Sequence, residues 1–335
     1  MRGFSVAVLL GAGLALAATR AAGQDVWTHR GKDAARNSRT AGPAPDITTP
    51  RFVTTDARPL VGQSAPVVAG GRIFVYAQNL AGDGNDLLAF SESDGRLLWA
   101  HPLEPAEWDS RSSPTVDLVR GHVLIGSGTH VTTIDMAAGT AVWDTELGNQ
   151  PIVNSSIAVC GSLALIADYS PYGPGARLYA LNLDPAHPWL LPGQVAWSQP
   201  LVKSLGNEAA ACLQGDGLVM TDFGGYLRWF SLAGAAGWVF PVPGAGTPRP
   251  TYGSFAGGPV VADGRAYAAT YNFYGGQDNS RLFCVDAATG ALIWDAPCER
   301  TDSTPIVTDS LVILSGGING YGSVPKIEAY DRLTG

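Results

Sequence analysis

Phe283-Cys284-Val285-Asp286-Ala287-Ala288-Thr289-Gly290-Ala291-Leu292-Ile293-Trp294 holds an apolar run, an Asp-containing turn closed by Gly, and a second apolar run ending in Trp. Two short apolar runs around such a turn are the signature of a β-hairpin. The same pattern stands at Leu88–Trp99, where Ser93-Asp94-Gly95 is the turn, and at Thr133–Trp143, where Ala138-Gly139 closes it. A hairpin that returns at a fixed pitch means a repeat architecture.

A second hairpin precedes each of these. Ser64-Ala65-Pro66-Val67-Val68-Ala69-Gly70-Gly71-Arg72-Ile73-Phe74-Val75-Tyr76 reads as strand, Gly turn, strand, and its counterparts begin at Ser113, Ser156, Ala210, Gly258 and Thr304. The chain therefore carries six units of four strands each, the last one stopping at its third-to-fourth turn, Asp331–Gly335. The third and fourth units degrade the Trp hairpin, into Leu178–Leu201 with an insertion and Leu227–Val242. A pitch of roughly 40–55 residues is that of one propeller blade. Isolated four-stranded sheets would leave two apolar faces in water, whereas radial stacking buries both. The expected fold is all-β, a β-propeller of four-stranded blades. Trp99, Trp143, Trp197, Trp238 and Trp294 are expected to pack between neighbouring blades. Arg51-Phe52-Val53-Thr54-Thr55 either supplies the missing fourth strand of the sixth blade and closes the ring, the favoured expectation, or the chain is a truncated form of a propeller with more blades.

Composition agrees with this reading. The 335 residues include 42 Gly and 23 Pro with only 15% charged residues, which suits many short strands and excludes helical bundles and disorder. Residues 1–23 read as a secretory signal peptide: Arg2, an apolar run from Phe4 to Ala18, then Ala21-Ala22-Gly23. Residues 24–50 form an N-terminal arm and 51–335 the propeller. No later segment reads as a transmembrane helix, so the chain is expected to be exported, periplasmic or extracellular, and monomeric. Removing residues 1–23 deletes Arg2 and Arg20 and no acid, taking the formal charge from −8 to −10. Such an acidic surface repels nucleic acid and anionic lipid. Cys160, Cys212, Cys284 and Cys298 show neither zinc spacing nor a haem motif; an oxidising compartment allows disulfides, a Cys284–Cys298 pair across their hairpin among them, with buried or free thiols the favoured expectation.

The Asp-x-x-x-Gly-x-x-x-Trp hairpin behind Pro-x-Val-x-x-Gly, together with the opening Trp27-Thr28-His29-Arg30-Gly31-Lys32-Asp33-Ala34-Ala35-Arg36, resembles the pyrroloquinoline-quinone (PQQ)-like propeller family over residues 25–335. That family holds quinone-dependent dehydrogenases and non-catalytic relatives, among them an outer-membrane assembly scaffold. The resemblance implies, for the dehydrogenases, a disulfide of adjacent cysteines against the quinone, an Asp base and a Ca²⁺ bound by Glu, Asn and Asp. This chain has no adjacent cysteine pair, and no catalytic Asp or Ca²⁺ set carries over residue by residue. The first reading is an exported, non-enzymatic binding or scaffold module without cofactor or metal. The second is a divergent quinone-dependent alcohol or sugar dehydrogenase with PQQ and Ca²⁺, and the third a polysaccharide-acting propeller.

Turn lengths distinguish the two faces of the ring. First-to-second and third-to-fourth turns are short, so the blade links and the second-to-third connections share the opposite, long-loop face, where binding residues concentrate. The candidate ligand-binding residues on it are Trp108, Asp109, Arg111, Tyr172, Asn207, Tyr252, Tyr271, Asn272, Tyr274, Asn319 and Tyr321. Aromatic rings mixed with amides suit a protein partner or a carbohydrate ligand. Gly82-Asp83-Gly84-Asn85-Asp86 carries oxygen ligands but lacks the spacing of a Ca²⁺ loop and is expected to be a polar turn. The partner of His29 cannot be read from sequence.

Overall fold

The computed structural model describes residues 27–30, 32–36, 52–54, 56–60, 64–106, 110, 112–148, 150–172, 175–206, 211–212, 217–273, 279–317 and 325–335. The signal-peptide reading lies outside them. No α-helix occurs among the described residues, and none is therefore long and apolar enough to cross a membrane.

Six antiparallel sheets follow one another along the chain. Blade one is Val67–Ala69, Arg72–Gln78, Asn85–Ser91 and Leu97–Leu103, in that spatial order. Blade two runs over Thr115–Asp117, His122–Ser127, His130–Asp135 and Ala141–Glu146, and blade three over Ala158–Cys160, Leu163–Ala167, Arg177–Asn182 and Val195–Pro200. Blade four holds Ala211–Cys212, Gly217–Asp222, Tyr226–Ser231 and Ala236–Pro241. Blade five holds Val260–Ala262, Arg265–Tyr271, Ser280–Asp286 and Leu292–Cys298, and blade six Ile306–Val307, Leu311–Gly316 and Lys326–Asp331.

The period of two along each strand sends alternate side chains to the two neighbouring blades. Phe74, Tyr76, Leu87 and Ala89 of blade one meet Val116, Val123, Ile125 and Ile134 of blade two. The opposite set of blade two, Leu124 and Val131, meets Ile157, Ala164, Ile166 and Leu181 of blade three. The pattern continues to the pairing of Tyr267, Leu282 and Cys284 in blade five with Val307, Val312 and Leu314 in blade six.

The hairpin motif explains itself in the turns. Asp286 accepts the N–H groups of Ala288 and Thr289 at 3.0 and 2.8 Å, and Gly290 N–H returns to the Asp286 carbonyl at 2.8 Å with φ near 73°. Asp331 and Asp135 hold their turns in the same way. The Trp of each blade lies over the turn glycine of the next blade: Trp99 over Gly139, Trp143 over Gly193, Trp197 over Gly234, Trp238 over Gly290 and Trp294 over Gly335. A Cβ on any of these glycines would stand 2.5–2.8 Å from the ring. The indole N–H of Trp238 donates to Ala287 at 3.2 Å, and that of Trp294 to Arg332 at 3.2 Å. The tryptophans thus sit on a fixed turn rather than filling an open gap. Gly290→Ala should cost about 2–3 kcal/mol by urea unfolding, from the left-handed backbone and the displaced ring together. In a Trp238→Ala background the cost should fall to about 1 kcal/mol, the backbone part alone.

The closure expected at the chain ends does not form among the described residues. Among the described residues blade six is three-stranded and residues 52–54 belong to no strand. Phe52 instead lies over Gly95, the place a Trp of a preceding blade would hold. Residues 52–54 thus run where a fourth strand before blade one belongs, without strand pairing to blade six among the described residues. Ile306, Leu311 and Ile327 on the outer face of blade six are exposed accordingly.

Cys160 is disulfide-bonded, the alternative to the favoured thiol, while Cys284 and Cys298 are buried and free. Register explains the latter two: Cys284 stands opposite Trp294, and Cys298 opposite Ser280.

Candidate functional site

Two places gather functional side chains, the axis of the ring and the long-loop face. The N-terminal arm crosses the axis. The central residue of the first strand in four blades donates its N–H to the arm: Val68 to Trp27 O at 2.8 Å, Val116 to Thr28 O at 2.8 Å, Val159 to His29 Nε2 at 3.2 Å and Val261 to Ala35 O at 3.2 Å. These are the inward edges of the blades, and a segment of ten residues that satisfies four of them fills the centre.

Arg36, 1% exposed and at φ near 57°, donates to the carbonyls of Arg30 at 3.0 Å and of Ser156 at 2.9 Å. Burial, and then the Arg30 charge, lowers its pKa to about 9, so it is still a cation at neutral pH. His29 Nε2 accepts from Val159, so its proton sits on Nδ1 and is donated to Thr28 Oγ1 at 2.8 Å. Burial, and then Arg36, lowers the His29 pKa to about 3.

Because the folded state holds His29 neutral while the unfolded chain protonates near 6.5, acid works against folding from about pH 7 downward. Burial raises the Asp168 carboxyl to about 6, and this opposes the trend between pH 6 and 4, since the folded state prefers that acid protonated. The two separate by difference. Between pH 7 and 5 wild type should lose about 2 kcal/mol more than His29→Gln, whose amide oxygen still accepts from Val159.

On the long-loop face, a cavity of about 290 Å³ opens among blades three, four and five. Tyr172, Phe223, Tyr271 and Phe273 form its aromatic walls, Pro171, Pro248 and Pro250 stiffen them, and Lys203 and Arg249 bring positive charge. Tyr172 is 94% and Phe273 55% exposed, so neither ring is used up in packing its own loop. Phe273 meets Tyr271 at 4.6 Å and Phe223 edge-on at 6.1 Å between ring centroids. Asp222, fully buried below, accepts the N–H groups of Val202 at 2.8 Å, Lys203 at 3.1 Å and Gly224 at 2.7 Å and pairs with Arg228. That carboxylate fixes the backbone from which Lys203 projects.

Of the sequence candidates, the structure brings Tyr172, Tyr271 and Asn272 together at this cavity. Asn272 is buried, and its amide N–H groups go to Thr251 O and Asn279 O at 3.3 Å each, within its own surroundings. Tyr252 packs against the core between blades four and five under Arg281, 5.0 Å from its ring centroid, and does not line the cavity. Trp108, Asp109, Arg111, Asn207, Tyr274, Asn319 and Tyr321 lie outside the described residues. Lys203, Arg249 and Phe223 escaped the sequence reading, which weighed aromatics and amides in the longest loops. Their loop positions were legible, but their convergence was not.

The Asp83 loop is a polar turn: Asn79 Oδ1 accepts from Gly82 and Asp83, and Asn79 Nδ2 donates to Asp83 at 2.9 Å. Among the described residues no three His, Cys, Asp or Glu side chains converge as metal ligands.

Radial four-stranded blades, a Trp-on-Gly seam and an axial arm define the class, a PQQ-like β-propeller. A family model described as outer membrane protein assembly factor BamB matches residues 5–169 and 183–335, and the chain belongs to that family. Among solved structures, BamB from Moraxella catarrhalis is similar at 16% identity and a TM-score of 0.58, over 84% of this chain and 74% of that one. A quinohemoprotein alcohol dehydrogenase from Comamonas testosteroni is similar at 12% identity and a TM-score of 0.58, over 90% of this chain and 58% of that one. A europium-containing methanol dehydrogenase is similar at 10% identity and a TM-score of 0.56, over 92% and 73%. At these identities the likeness shows the fold alone. No curated protein matches the chain.

Proposed function

We propose that this chain is an exported, non-enzymatic propeller of the cell envelope that holds a protein partner of outer-membrane protein assembly on its long-loop face. The observation that carries the reading is the axial arm: four blades give their inward N–H groups to residues 27–35, and Arg36 and His29 are buried among them. A quinone held on the axis would need that space, and the adjacent cysteines that the dehydrogenases set against it are absent from the sequence. The residues present do not fit that group. The aromatic cavity among blades three to five is open to a ligand. Exposed aromatics on rigid loops are good anchors for a protein interface, since little side-chain freedom is lost on docking.

Photo-crosslinking in the native cells tests the proposal. A benzophenone side chain in place of Tyr172 or Phe273 should give an adduct with one discrete envelope protein. The same group in place of Val119, exposed on the short-turn face, should give none. Adducts from all three positions, or from none, would count against it.

A further inference from the structure

We infer that the cavity among blades three, four and five takes a short, extended, acidic peptide segment with an aromatic or proline side chain. This deepens the protein-partner reading and rests on it.

Charge is the first reason. The chain has 29 acidic against 21 basic residues, yet among the described residues the cavity is lined by Lys203 and Arg249 and by no Asp or Glu. A cationic recess on an acidic protein selects for a partner's carboxylates and repels its lysines. Lys203 makes no ion pair among the described residues, and its backbone is held by the buried Asp222. The Lys203 charge is thus held toward the cavity by a fixed backbone.

Shape and polarity give the second reason. A sugar needs a dense array of hydrogen-bond groups around its hydroxyls. Here the Asn272 amide is spent on Thr251 and Asn279, and Thr247 Oγ1 donates to Gly244 O at 2.7 Å. The rings remain, with Tyr172 and Phe273 exposed and Arg300 already 5.7 Å from the Tyr271 centroid. An apolar, aromatic floor with two cations at its rim fits a Phe or Pro flanked by Asp or Glu better than it fits a glycan.

The probes are two capped hexapeptides, Gly-Asp-Phe-Pro-Asp-Gly and its charge-reversed form with Lys in place of Asp, titrated into the purified protein by calorimetry. The acidic peptide should bind at least tenfold more tightly than the basic one. Lys203→Glu should remove at least tenfold of its affinity, and Lys203→Gln an intermediate share. Circular dichroism would confirm that both variants fold, and the Gln variant carries the test if the Glu variant does not. Equal binding of both peptides, no binding of either, or unchanged affinity in a folded Lys203 variant would overturn the inference. So would a galacturonate oligomer that binds where the acidic peptide does not. A crosslink from Tyr172 to a protein alongside failed peptide binding sinks only this inference; loss of both sinks the protein-partner reading as well.

Discussion

Arg36→Met should destabilise the protein by about 3–5 kcal/mol in urea unfolding, because two buried, charge-assisted hydrogen bonds disappear at once. The guanidinium reaches the part-buried carbonyl of Arg30 within the arm and the buried carbonyl of Ser156 at the entry to blade three, and methionine removes both bonds. The loss has a spatial signature. Hydrogen exchange should accelerate at Val159 and Val261, whose N–H groups the arm accepts, before it changes at outer-strand amides such as those of Leu292–Cys298. Arg36→Lys should recover only part of the stability, since an ammonium lacks the planar fork that spans the two carbonyls. A Met variant as stable as wild type would mean that the arm is not a structural member of the ring.

Gly206→Ala should cost about 4 kcal/mol or more, the other large effect expected of a single substitution. Gly206 holds φ near 78°, and a Cβ there would overlap the carbonyl oxygen of Val153. That oxygen belongs to backbone and cannot turn aside. The strand pair Tyr169–Ser170 with Ser204–Leu205 and the bond from Asn154 Nδ2 to Leu205 O at 3.3 Å tie the same link down. The variant should therefore also disturb Lys203 and Leu205 at the cavity. Thermal unfolding together with peptide titration would read both consequences, and a Tm within about 2 °C of wild type would contradict the close approach.

The sequence made the blades legible because the hairpin is self-explanatory. Asp286 and Gly290 specify the turn from within four residues of chain, and alternation along Ser280–Asp286 specifies which side chains face which neighbour. The Trp position was legible but its partner was not, since the glycine under Trp238 lies in the next blade, about 50 residues on. Closure by residues 51–55 was one of two readings the sequence allowed. Phe52 does hold the place of a Trp, over Gly95, but no strand pairing joins residues 52–54 to blade six among the described residues.

The arm was the largest omission. Residues 27–36 show no strand alternation and contribute through backbone carbonyls, one His and one Arg. Their role follows only once the first strands of four blades are known to point inward at one place. Half of the cavity escaped for the opposite reason: Lys203 and Arg249 stand in separate blade links and look like ordinary surface cations until the fold joins them.

The chain's own arm occupies the inward edges of four blades and leaves the long-loop face as the proposed docking surface. Quinone retention tests it most directly. The purified protein would be mixed with excess PQQ and Ca²⁺, desalted, and its bound quinone read by absorbance. Retention should be no greater than that of an unrelated control protein; one quinone retained per chain would mean that the axis is not closed to it.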